Sequence, residues 1–185
     1  MGTIRTNERG SDPADNKRQS GPGARSMLER DLLHVYLSDH FAGATAGLNL
    51  AKRMAGDSPT GLLSEIAAEI ESDRQTLRDL MAALYLKPSL LKTVIGWFGE
   101  QAGRMKLNDR VFGRSPLSGP LELELLIAGV SGKLQLWRAL AEIASEDSRL
   151  KPFDFTALGR RAEEQRRRLE ELHERAARDA LGRDH

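Results

Sequence analysis

The sequence contains no cysteine, and it has only five Phe, two Trp and two Tyr among its 185 residues. The absence of cysteine excludes disulfide bonds, thiolate metal ligands and thiol nucleophiles. β-Branched residues are also sparse, while Ala, Leu, Glu and Arg are abundant, and this composition favours helices. We therefore predict an all-α protein.

No stretch approaches the roughly 18 consecutive apolar residues of a membrane-spanning helix, and the N-terminus lacks the apolar core of a secretory signal. We predict no transmembrane segment. The 28 basic and 27 acidic residues give a formal net charge of +1, so charge gives no reason to expect a nucleic acid or an anionic membrane as partner. A cytoplasmic location is our expectation. It is compatible with the lack of cysteine, although many secreted proteins also lack it.

The chain divides by composition into a tail and a helical domain. Residues 1–25 are polar and contain too few apolar side chains to form a core, so we predict a disordered tail. Residues 26–182 are predicted to form one bundle domain. Ser26 and Glu29 make a capping box that predicts the start of the first helix. A serine followed by a proline, Ser58-Pro59, predicts the start of the second. The predicted helices cover about 26–55, 59–86, 89–106, 120–147 and 154–181.

Apolar residues recur at a spacing of 3.5 along these helices, which predicts the faces that pack inward. The predicted core face of the second helix is Leu63, Ile66, Ile70, Asp73, Leu77, Leu80 and Leu84. The predicted core face of the 120–147 helix is Leu121, Leu125, Ala128, Gly132, Leu136, Ala139 and Ile143.

Helix lengths and connections together indicate the topology. A pair of long helices with a tight turn is followed by a connector of about thirty residues and then by a second pair. In these features residues 26–180 resemble the ferritin-like superfamily. The predicted fold is therefore an all-α four-helix bundle with ferritin-like up-down pairs, joined by a long crossover that contains a shorter helix. The resemblance implies a dinuclear metal site built from Glu on two helices and Glu-x-x-His on the other two.

The sequence does not complete that dinuclear set. The Glu-x-x-His of the helical domain, at Glu170 and His173, falls near the end of the last helix among many surface charges, and we predict a solvated face there. Polar residues do remain near the middle of the first two helices. His40, Glu69 and Asp73 are candidate ligands of a mononuclear or vestigial metal site. The simpler interpretation is a buried His40–Asp73 hydrogen bond that sets the helix register.

Four glycines interrupt the predicted helices: Gly43, Gly47, Gly129 and Gly132. We predict that these small residues let two helices approach closely. The alternative is that they leave room for a ligand beside His40.

The sequence contains no complete catalytic motif, and we assign no catalytic residue and no cofactor; enzymatic activity is left open. The first functional prediction is a non-enzymatic structural or interaction protein with a protein partner, or one that self-associates through an apolar helix face. One alternative is a metal-binding or oxidative-stress protein that uses His40, Glu69 and Asp73. Another is a peripheral membrane or nucleic-acid accessory factor that uses the basic segment 87–114 or the tail, without specific nucleic-acid recognition.

Overall fold

The computed structural model describes residues 22–56, 60–89 and 117–182, and their side chains from residue 27 onward. Most of the predicted tail and nearly all of the predicted 89–106 helix lie outside these residues. The chain divides into two compact units, Met1–Leu33 and His34–His185. All the contacts given below lie within the second unit.

The described residues contain four helices and no strand, which confirms the predicted all-α four-helix bundle. The helices are α1 (Pro22–Ala55), α2 (Leu62–Ala83), α3 (Ser118–Ile143) and α4 (Phe155–Leu181). None of them carries an 18-residue stretch apolar enough to cross a membrane.

The helix ends differ from the predicted ones by a few residues. The first helix begins at Pro22, so the capping box at Ser26 lies inside α1 and does not start it. The helix predicted over 59–86 runs from Leu62 to Ala83, so it begins after Ser58-Pro59 and ends early. The helix predicted over 120–147 runs from Ser118 to Ile143. The last helix begins as predicted, because the Asp154 carboxylate accepts a hydrogen bond from the Ala157 backbone N–H at 2.9 Å and caps α4.

Side-chain contacts give the directions of α1 and α2. Near one end, His34 Nε2 donates to the backbone oxygen of Lys87 at 2.7 Å. Farther along α1, Lys52 Nζ lies 3.1 Å from Glu71 Oε2. Because the partner number falls as the α1 number rises, α1 and α2 run antiparallel.

The second pair is also antiparallel, since Glu124 contacts His173 at 3.1 Å and Arg138 contacts Glu163 at 2.6 Å. The beginning of α3 is fixed against α1 by a 3.0 Å ion pair between Arg53 and Glu122.

The chain therefore leaves α2 and enters α3 at opposite ends of the bundle. Residues 34 and 53 of α1 are about 28 Å apart along the helix axis. Helix α2 ends near residue 34, whereas α3 begins near residue 53. Helices α2 and α3 thus point in the same direction. This is the order of directions expected for two hairpins with a long crossover between them.

Burial confirms the predicted core face of α2 almost completely, since Ile66, Ile70 and Leu77 are all at most 5 % exposed. The predicted face of α3 is partly wrong, because Leu121 and Ile143 are exposed. The residues that α3 buries are shifted around its axis: Leu123, Leu126, Val130, Leu134, Leu136, Trp137 and Leu140. The physical reason is that α3 carries leucines on more than one face, so the spacing of its apolar residues is compatible with two different core faces.

Candidate functional site

A cavity of about 290 Å³ lies between α1, α2 and α3. Both glycine pairs border it, Gly43 and Gly47 from α1, Gly129 and Gly132 from α3. A Cβ atom built on any of these glycines meets no described atom within 4 Å. No described helix therefore packs closely at these glycines, and within the described segments they leave open space beside His40.

Four polar residues from three helices meet beside this cavity, and we call them the Asp73 cluster: Asp73 of α2, Lys133 of α3, and Arg161 and Gln165 of α4. The Asp73 side chain is 1 % exposed. Lys133 Nζ donates to Asp73 Oδ2 at 2.5 Å, Gln165 Nε2 donates to the same oxygen at 3.3 Å, and Arg161 donates to Oδ1. Lys133 also donates to the side-chain oxygen of Gln165. The cluster thus ties three helices together at one level.

Burial has the largest effect on the pKa of Lys133. Removing the ammonium group from water lowers its pKa from the usual range, and the adjacent Asp73 carboxylate opposes that shift without cancelling it. The carboxylate of Asp73 has two cationic neighbours, Lys133 and Arg161, so the cluster carries one more positive charge than negative. A buried carboxylate that is fully hydrogen-bonded in this way is tolerated, while either partner left alone is costly.

His40 borders the cavity but is not part of this cluster. Its ring packs edge-on against Tyr36 with the centroids 4.6 Å apart. Desolvation by burial lowers the pKa of His40, and the nearby Asp39 carboxylate only partly opposes this. No hydrogen bond joins His40 to Asp73 in the part of the chain that the structure describes, so the predicted register bond is wrong. Asp73 turns instead to the cations of α3 and α4.

The third candidate metal ligand lies elsewhere. Both carboxylate oxygens of Glu69 accept hydrogen bonds from Arg168 Nη2, at 2.7 and 2.6 Å, and Glu69 does not border the cavity. Over residues 22–56, 60–89 and 117–182, no three His, Asp or Glu side chains are grouped so that they could hold a metal ion. The structure therefore brings His40 and Asp73 to one cavity but leaves Glu69 outside it. The metal-binding hypothesis stays a prediction.

Two further cavity residues were not identified from the sequence. Trp137 is 1 % exposed, borders the cavity, and has no acceptor for its indole Nε1–H within the described segments. Arg74 also borders the cavity, and its guanidinium lies 5.6 Å from the centre of the Phe41 ring. Its Nε is likewise buried without an acceptor. Lys133 and Trp137 are four residues apart, which places both on one face of α3. This spacing could have identified Trp137 from the sequence.

Acidification is expected to destabilise the fold through His40. Its pKa is lower in the folded chain than the value of 6.5 expected for the unfolded one. Below about pH 6.5 the unfolded chain therefore binds more protons, and stability is lost as the pH falls. Urea unfolding at about pH 7.5 and about pH 5.5 should show a smaller loss for His40→Gln than for the original chain. An unchanged loss in the variant would mean that other groups cause it.

Comparison of this chain with protein-family models, with curated proteins and with solved structures gives no match. A functional proposal therefore depends on the cavity and the Asp73 cluster.

Proposed function

We propose that this chain is a non-enzymatic binding protein that receives a small, largely apolar molecule in the cavity between α1, α2 and α3. The supporting observation is the space at Gly43, Gly47, Gly129 and Gly132. A glycine inside a helix costs about 0.5–1 kcal/mol relative to alanine. No close contact with a neighbouring helix offsets that cost among the described residues, whereas room for a ligand would account for it. This proposal develops the alternative in which the glycines leave room for a ligand beside His40, and it differs from the protein partner predicted first from the sequence.

The size and lining of the cavity suit such a molecule. An apolar cavity of about 150 Å³ can hold benzene, so the 290 Å³ found here corresponds to a molecule of about two fused rings. Small-molecule sites are mostly apolar with a few polar groups that fix orientation. The apolar side chains that border this cavity are Leu50, Ile70, Leu77, Leu125, Leu126, Val130 and Leu136.

Calorimetric titration with naphthalene, a neutral two-ring probe, tests the proposal. We expect saturable binding of one equivalent to the full chain. Gly129→Leu, which puts a side chain into the cavity, should weaken binding by at least about tenfold. Ala128→Leu is the matched control, because Ala128 is exposed and does not border the cavity. No binding to the original chain, or equal binding to the two variants, would contradict the proposal.

Metal binding by His40, Glu69 and Asp73 is a second candidate, and it is supported by the position of His40 and Asp73 at one cavity. Metal analysis of the purified protein tests it. Stoichiometric iron, manganese or zinc that is lost in His40→Ala would favour this candidate over the first.

The ferritin-like relationship, the cytoplasmic location and self-association are further parts of the proposal. The common direction of α2 and α3 supports the first. The exposed Leu121 and Ile143 on α3 support self-association, which sedimentation would test. The membrane or nucleic-acid alternative depends on residues 87–114, most of which lie outside the described segments. Salt-dependent binding to DNA or to anionic vesicles would favour it.

A further inference from the structure

The cavity is long, and its two ends differ in chemistry. Along α1 it extends from Asp39 to Leu50, which corresponds to about 16 Å of helix axis. Because α1 runs antiparallel to both α2 and α3, the low-numbered border residues of α1 lie toward the high-numbered ones of α2 and α3. The end at Leu50 is therefore bordered by Ile70 and Leu125, which are apolar. The opposite end carries Asp39 and His40.

The imidazole ring of His40 has hydrogen-bonding groups that no described residue uses. Its two nitrogens make no hydrogen bond within residues 22–56, 60–89 and 117–182. His40 is half-buried, and both of its ring nitrogens remain accessible. The ring contacts Tyr36 edge-on, and Tyr36 does not border the cavity. The nitrogens of His40 are therefore available to a molecule that enters the cavity.

His40 favours the neutral form of its ring. Burial lowers its pKa, and the nearby Asp39 carboxylate only partly opposes this shift. A neutral imidazole presents one N–H donor and one bare nitrogen that accepts. A hydroxyl group matches such a ring because it can both donate and accept a hydrogen bond. A carboxylate can only accept, and an ammonium group can only donate.

The charged residues that border the cavity balance one another. Asp39 and Asp73 carry negative charge, whereas Arg74 and Lys133 carry positive charge. The other cationic partner of Asp73, Arg161, is partly exposed to solvent and does not border the cavity. The neutral imidazole adds no charge to this border. A neutral ligand is therefore favoured over an acid or an ammonium compound, whose charge would lose water without gaining a counter-charge.

We infer that the ligand of this cavity is a neutral, largely apolar molecule of about two-ring size that bears a hydroxyl group, and that this hydroxyl hydrogen-bonds to His40. This inference rests on the proposed function and specifies its ligand class. The hydroxyl group lies at the end of the cavity that carries Asp39 and His40. The apolar part of the ligand extends past the glycines toward Leu50.

Naphthalene derivatives that differ in one substituent test this inference: 2-naphthol, 2-methoxynaphthalene, 2-naphthoate and 2-naphthylmethylammonium. In calorimetric titrations of the full chain near neutral pH, we expect 2-naphthol to bind about three- to tenfold more tightly than 2-methoxynaphthalene, which keeps the oxygen but cannot donate. The two charged compounds should bind more weakly than 2-naphthol. If naphthalene binds but any of these three compounds binds as tightly as 2-naphthol, the inference is wrong and the proposed function stands. If naphthalene does not bind, the proposed function fails as well.

Variants of His40 assign the preference for 2-naphthol to this residue. His40→Phe removes both ring nitrogens and should abolish the preference over 2-methoxynaphthalene, whereas His40→Gln, whose amide can donate and accept, should keep part of it. His173→Phe is the matched control, because His173 pairs with Glu124 outside the cavity. An unchanged preference in His40→Phe, or an equal loss in His173→Phe, overturns the inference. If His40→Phe does not fold, as judged by circular dichroism, the ligand series on the original chain decides.

Discussion

Replacement of Asp73 by alanine is expected to lower the free energy of unfolding by about 3–5 kcal/mol, because it leaves the buried ammonium group of Lys133 without its counter-charge. Lys133 would lose its hydrogen bond to a carboxylate, and the partly exposed Arg161 would lose its ion pair. A loss of this size is a large part of the 5–15 kcal/mol that stabilises a typical domain. Urea unfolding followed by circular dichroism measures it directly.

Two comparisons separate this effect from a general loss of packing. Glu163→Ala breaks the exposed pair with Arg138 and should cost about 0–1 kcal/mol. Replacing Asp73 and Lys133 together by leucine removes both charges of one pair and should cost less than the sum of the two single replacements. If Asp73→Ala costs no more than Glu163→Ala, the Asp73 cluster does not hold the helices together as described.

Replacement of all four cavity glycines by alanine is expected to stabilise the fold by about 2–4 kcal/mol, or about 0.5–1 kcal/mol for each residue. Gly43, Gly47, Gly129 and Gly132 each have space for a Cβ atom, so alanine adds helix propensity without a clash. Close helix packing at these positions predicts the opposite result, a loss of stability. The midpoint of urea or thermal unfolding distinguishes the two.

A glycine outside the cavity provides the control for this series. Gly56 follows α1 with a φ of +61°, a conformation that alanine adopts only with strain. Gly56→Ala should therefore destabilise the chain. If the cavity variants behave like Gly56→Ala, the space seen at the cavity glycines is occupied in solution and the binding proposal loses its support.

The sequence was sufficient where a helix has one apolar face. In α2 the isoleucines and leucines lie on a single seam, and Asp73 was correctly placed within it. It was insufficient for α3, where leucines occupy several faces and only the neighbouring helices select Leu126, Val130 and Trp137 as core residues. Capping signals have a similar limit. Ser26-x-x-Glu29 is a valid motif, but the helix already extends to Pro22 on its N-terminal side.

The positions of residues along the helices could be predicted from the sequence, whereas the directions of their side chains could not. Counting residues along antiparallel helices placed His40 and Asp73 at one level near the middle of the first two helices, because such counting depends only on helix rise, and the structure finds both at one cavity. It could not find the partners of Asp73, since Lys133 and Arg161 have long side chains whose direction is set by three-dimensional packing. The glycines had two interpretations with the same sequence pattern, and the absence of any described atom within 4 Å of their Cβ positions favours the second, room for a ligand.

The most direct test of the account is the nuclear magnetic resonance signal of the Trp137 indole during titration with naphthalene, because Trp137 borders the cavity. Trp97→Phe leaves Trp137 as the only tryptophan in the chain, so that its signal needs no further assignment. The account predicts a saturable shift of this signal, because the aromatic rings of the bound molecule lie beside Trp137. An indole signal that stays in place while naphthalene is added in excess would contradict the account.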